Sequence, residues 1–189
     1  MAPILASRGG ASARAFGMFG GLAAPLGDYQ AIMTATVDSG GASSITFSSI
    51  PSTYKHLQLR SINLTGTSLN TINMAFNGST SSYASHVLYG DGSSAAASSA
   101  TSASYFPIGL NGTSTAPSAI IVDILDYTST TKNKTARAFS GFDANGSGYV
   151  QLRSGLWYAT PTAVTQIDIT IAGGSSFSQY SQFALYGVK

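Results

Sequence analysis

The sequence contains no cysteine and no glutamate. The first absence excludes disulfides, thiolate zinc sites and cysteine nucleophiles together. The second leaves seven aspartates as the acidic side chains, beside only two histidines, His56 and His86. General acid–base and metal chemistry draw mainly on these scarce types, so no enzyme activity, metal or cofactor is expected. Charge is low as well: 8% of residues are charged and the formal net charge is +2. A balance that small argues against nucleic acid as a partner. No apolar run is long enough to cross a bilayer, so membrane insertion is not expected.

What fills the 189 residues is 30 Ser, 19 Thr, 26 Ala and 21 Gly, with ten Tyr and nine Phe. Small hydroxyl residues and aromatics suit pleated strands joined by tight turns. Residues 1–30 differ from the rest, being rich in Gly and Ala with no lasting apolar period. Arg8 and Arg14 before Ala15–Leu26 imitate a secretory signal, but five glycines between Gly9 and Gly21 weaken any hydrophobic helix there. The segment reads instead as an assembly arm. Its groups for docking are Ile4, Leu5, Arg8, Arg14, Phe16, Met18, Phe19 and Leu22, with glycines that let backbones pack closely.

From residue 31 to 189 the pattern is one β-sandwich domain of short strands and Gly/Ser/Asn turns. Strands are expected near Ala31–Val37, Ser44–Phe47, Leu57–Leu64, Thr71–Phe76, His86–Tyr89 and Tyr105–Leu110. Others fall near Ala119–Tyr127, Thr135–Phe142, Tyr149–Arg153, Val164–Ala172 and Gln182–Val188. The sets Ile72, Met74, Phe76 and Ile167, Ile169, Ile171 each alternate onto one face. The run AIIVDILDY (119–127) is apolar on both faces, which predicts a central strand covered on both sides. The pairs Asn77-Gly78, Asn111-Gly112 and Asn145-Gly146 predict hairpin turns. Ser93–Ser104, nearly pure Ala and Ser, predicts an exposed loop.

The sequence carries few catalytic signatures. The sequence has no G-x-S-x-G elbow, P-loop, H-E-x-x-H or dinucleotide fingerprint. His56 and His86 read as strand-end residues. Asp143–Gly148 matches the first half of a calcium loop, but its twelfth position is Ser154 rather than Glu, so it reads as a hairpin turn. Asp123 and Asp126, three apart on a strand, point to opposite faces and cannot act as a glycosidase pair. Lys132, Lys134 and Arg137 form a short basic cluster. The aromatics are the better binding candidates: Tyr83, Tyr89, Tyr105, Tyr127, Tyr149, Tyr158 and Tyr180, with Trp157 as a core or interface anchor. Tyr buries area while keeping a polar tip, which suits covered sandwich ends, subunit interfaces and sugar-stacking surfaces.

Residues 44–60, SITFSSIPSTYKHLQLR, resemble a segment of virion proteins of tailed bacteriophages, particularly phages of aquatic bacteria. The stretch DYTSTTKNKT (126–135), the run Gly155-Leu156-Trp157, the terminus FALYGVK (183–189) and the lead-in RGGASARAFGMFGG are similar to parts of the same proteins. The resemblance implies a virion structural protein with a jelly-roll-like antiparallel sandwich. It further implies a homotrimer mounted on other virion proteins through residues 1–28. A tail fibre or tail-tip appendage in contact with host surface glycans is the first expectation, and a capsid decoration protein the second. A glycan-binding or glycan-processing domain ranks behind both.

Overall fold

A computed structural model describes residues 28–66, 68–159 and 161–189. The expected arm groups Ile4, Leu5, Arg8, Arg14, Phe16, Met18, Phe19 and Leu22 lie outside them. The first six strands are β1 (Tyr29–Thr36), β2 (Ser44–Phe47), β3 (His56–Asn63), β4 (Thr71–Phe76), β5 (Tyr83–Gly90) and β6 (Ala95–Ala103). They are followed by β7 (Phe106–Leu110), β8 (Ser118–Leu125), β9 (Lys134–Asp143), β10 (Gly148–Trp157), β11 (Ile167–Ile171) and β12 (Gln182–Val188). These form two antiparallel sheets, an eight-stranded one in the order β1-β12-β3-β8-β9-β10-β5-β6 and a four-stranded one in the order β2-β11-β4-β7. The sheets make a sandwich.

Alternation drives the arrangement, because successive side chains on a strand point to opposite faces. Ile72, Met74 and Phe76 of β4 and Ile167, Ile169 and Ile171 of β11 are buried together, as their spacing predicts. Ile120, Val122 and Ile124 of β8 and Leu57 and Leu59 of β3 meet them from the larger sheet. Four pairings nest along the chain: β1 with β12, β2 with β11, β3 with β8, and β4 with β7. The hairpins β5–β6 and β9–β10 add their four strands to one edge of the larger sheet. Phe106 on β7 locks that extension to the smaller sheet, its ring lying directly over Gly155 of β10.

The structure corrects several expectations. Residues 95–103 form strand β6 rather than a loop. An edge strand pairs on one side only, and its backbone ladder with β5 needs no large side chains. β5 begins at Tyr83, so His86 sits in mid-strand rather than at a strand end. The Asn145-Gly146 pair does turn the β9–β10 hairpin, with positive φ of 60° and 93°. Asn77 and Gly78 also have positive φ, 52° and 69°, but carry the chain from one sheet to the other.

Asn111-Gly112 makes no such turn. Asn111 is fully buried among Asn63, Thr65 and Ser118. Its side-chain amide donates to the hydroxyl of Thr65 and to the carbonyl of Ser68 at 2.9 Å, while its side-chain carbonyl accepts the N–H of Asn70. Asn63 accepts the Gly112 N–H at 3.2 Å and donates to the Ser118 carbonyl at 3.2 Å. Buried polar groups require partners, and this knot supplies them mutually.

The basic cluster is taken apart as well. Lys134 is buried, its ammonium donating to the carbonyls of Ser129 at 2.5 Å and Lys132 at 2.8 Å, and burial pulls its pKa down. Lys132 pairs with Asp126 at 3.1 Å. Arg137 and Lys132 stay exposed, and of the two Arg137 lies on the outer sheet face without an acidic partner among the described residues.

Candidate interaction face

Among the described residues, β8 is covered on one side only. Its inner residues are buried, whereas Ile121 and Leu125 on the other face are exposed. The same split runs through the neighbouring strands. Antiparallel register lines the outward residues up in rows across the sheet. One row is Ile121, Phe139, Leu152 and Leu88, directly opposite one another on β8, β9, β10 and β5. These four are 41%, 52%, 54% and 54% exposed, although residues of this size and type are usually inside. The next row is Asp123, Arg137, Ser154 and His86, and beyond it lie Leu125, Thr135, Leu156 and Ala84. On the opposite flank Ile62 and Val150 are also exposed.

The middle of this face is a groove of about 930 Å³ with Phe139, Leu152, Leu88 and Ile121 as its apolar lining. Asp123, Arg137, His86 and Ser154 form its polar line. Asp123 accepts a hydrogen bond from the Gln58 amide at 2.7 Å, and Gln58 in turn accepts one from the Arg60 Nε at 2.6 Å. The Arg60 guanidinium stacks over the rings of Tyr29 at 5.3 Å and Tyr186 at 5.0 Å. Arg137, by contrast, has no carboxylate within ion-pair distance among the described residues. A wide apolar surface with a few fixed polar groups is the make-up of an interface core.

The aromatic candidates divide. Tyr83, Tyr127 and Trp157 are core residues, not surface contacts. Tyr83 and Trp157 stand on the inward sides of β5 and β10, and Tyr127 is buried in the turn after β8. Tyr83 stacks on Trp157 at 6.1 Å, and its hydroxyl accepts the Phe76 N–H at 2.8 Å. Burial pushes that phenol up to about 12. Tyr127 hydrogen-bonds through its hydroxyl to the Pro51 carbonyl, and burial likewise raises its pKa. Tyr105 is half-buried, while Tyr158 and Tyr180 are exposed at separate points. Only Tyr89 and Tyr149 come together outside the core, at 6.3 Å, with Phe142 at 6.0 Å from Tyr149. This corner lies between the β5–β6 and β9–β10 turns.

Those turns hold themselves by internal hydrogen bonds. In the Asp143–Gly148 turn, Asp143 Oδ1 accepts the Gly146 N–H at 3.2 Å. In the other, Asp91 Oδ1 accepts from the N–H groups of Ser93 at 2.9 Å and Ser94 at 2.7 Å. These bonds hold the Asp91 carboxyl at about 2, below its ordinary 3.8. A depressed carboxylate contributes stability that is present above its unfolded pKa and lost as pH falls through the folded one. Asp91→Asn is therefore expected to lower the melting temperature above about pH 5. The gap from the unaltered protein should close as the pH approaches 2. Thermal melts of both proteins across that range check it.

No family model, curated protein or solved structure matches this chain. The face must be read on its own chemistry. Sequence reasoning missed Leu88, Ile121, Phe139, Val150 and Leu152 as a group. The signal was present in the doubly apolar 119–127 run, which asks for a second cover that the chain's other sheet does not provide.

Proposed function

We propose that the chain is a structural component of a tailed-phage virion, working by assembly rather than catalysis. The observation that carries this reading is the uncovered apolar face of the eight-stranded sheet. Half-exposed Phe, Leu and Ile side chains in register make a surface built to be covered. Low charge points the same way, since few ions need desolvation when such surfaces meet. The nested pairing of β1 with β12, β2 with β11, β3 with β8 and β4 with β7 supports a jelly-roll, a long hairpin rolled into a sandwich. In that reading β5–β6 and β9–β10 are additions that widen one sheet, and residues 1–28 fasten the domain to other virion proteins.

The appendage form, a tail fibre or tail-tip protein, is preferred because the Tyr89, Tyr149 and Phe142 corner offers aromatic faces suited to host surface glycans. The alternative is a decoration protein that clamps the shell. Quantitative mass spectrometry of purified particles tests the reading. A fixed, low copy number supports an appendage, hundreds of copies support decoration, and absence from the particle refutes both.

A further inference from the structure

The rows of the outer face are arranged about a midline between β9 and β10. Phe139 and Leu152 flank it, with Ile121 and Leu88 one strand further out on either side. In the adjacent row Arg137 and Ser154 flank the same line, with acidic Asp123 at one end and the His86 imidazole at the other. We propose that a second copy of the chain covers this face, docked face to face about a two-fold axis that runs along the strands between β9 and β10. This names the partner of the face described above and rests on its assignment as an assembly surface.

A two-fold axis in that position turns β9 onto β10 and β8 onto β5. Phe139 of one copy then meets Leu152 of the other, and Ile121 meets Leu88. Each row keeps to its own kind. Asp123 meets His86 of the second copy, and Arg137 gains Ser154 as an acceptor. The contact is isologous, so every pairing is made twice. Phe139 and Leu152 are more than half exposed, so each has apolar area to bury against the facing copy.

Size supports the same partner. From β3 to β6 the face crosses five strand spacings, about 24 Å. From Ala119 to Leu125 it runs about 20 Å along β8. The projected patch is roughly 500 Å², and its accessible area is larger because the side chains stand out from the sheet, which brings it near the ~800 Å² per partner of a stable interface. Charge complementarity decides between occupants. Residues 1–27 carry Arg8 and Arg14 and no acid, so they could complement Asp123 but would set cations against Arg137, whereas a second copy matches both ends of the row. A second copy offers acid and base at matched ends of one row. The contact is two-fold, unlike the trimer that the phage resemblance implies.

The test uses the full chain and light scattering. The unaltered protein should be a dimer, dissociating on dilution. Asp123→Lys sets a cation against His86 of the other copy, and His86→Glu sets an acid against Asp123. Each variant alone should be weakened in self-association at least tenfold. Mixed in equal amounts they should recover it, because each substitution then faces its opposite charge. Asp123→Lys also costs the Gln58 hydrogen bond and faces Arg137, so an unchanged circular-dichroism spectrum, rather than melting temperature, separates lost docking from lost folding. A monomer, a trimer, or a mixture no better than its components overturns the two-fold contact. That failure differs from failure of the virion reading, which is seen as absence of the chain from purified particles whatever its state in solution.

Discussion

Gly112→Ala is expected to remove about 4 kcal/mol or more of stability, most of what a small domain has. A Cβ at that position lies 2.3 Å from the Ser118 nitrogen, 2.4 Å from the Ala116 carbonyl oxygen and 2.6 Å from the Pro117 carbonyl carbon. All three are backbone atoms, so no side chain can swing aside. The surrounding loop would have to open, and Asn63 and Thr65 would lose Gly112 as a hydrogen-bond partner. Each buried polar group left unmatched adds about 1–3 kcal/mol. Gly66→Ala is the control, since nothing lies within 4 Å of its Cβ. Urea denaturation of the two variants should show a collapse for the first and a change within about 0.5 kcal/mol for the second.

Phe106→Ala should cost about 3–5 kcal/mol through the cavity it leaves between the sheets. Phe106 is 1% exposed, and its ring atoms lie 2.2 Å from the Cβ that any other residue would place at position 155. The two positions are therefore coupled. Gly155→Ala alone forces the ring to move and should destabilise clearly, whereas in the Phe106→Ala background it should be close to neutral. That non-additivity, read from a double-mutant cycle of urea midpoints, tests whether β7 pins the β9–β10–β5–β6 extension. Additive effects would mean that the extension is held by its strand ladder alone.

Most strands were legible because half-buried strands alternate, as β11 does throughout and β4 does up to Met74. β6 was not legible, since nine residues of Ala, Ser and Thr carry no alternation and an edge position asks for none. Asn111-Gly112 misled because an Asn-Gly pair signals a turn only by its tolerance of positive φ. Here the Asn amide is used for a buried network joining residues more than forty apart in sequence. The tyrosines could not be sorted without coordinates, because Tyr83 and Tyr149 look alike in sequence. Which face each strand presents depends on its register in the sheet. Residues 119–127 hold the most informative case. Their two apolar faces predicted two covers, the fold supplies one, and the remaining face is the candidate site.

The bare face of the larger sheet is expected to be covered when the protein works. Substituting Phe139 and Leu152 together by lysine leaves every inward residue untouched. The variant should keep the circular-dichroism spectrum of the unaltered chain yet fail to enter the assembled particle. Normal incorporation of that doubly substituted chain, at the copy number of the unaltered one, would contradict the account.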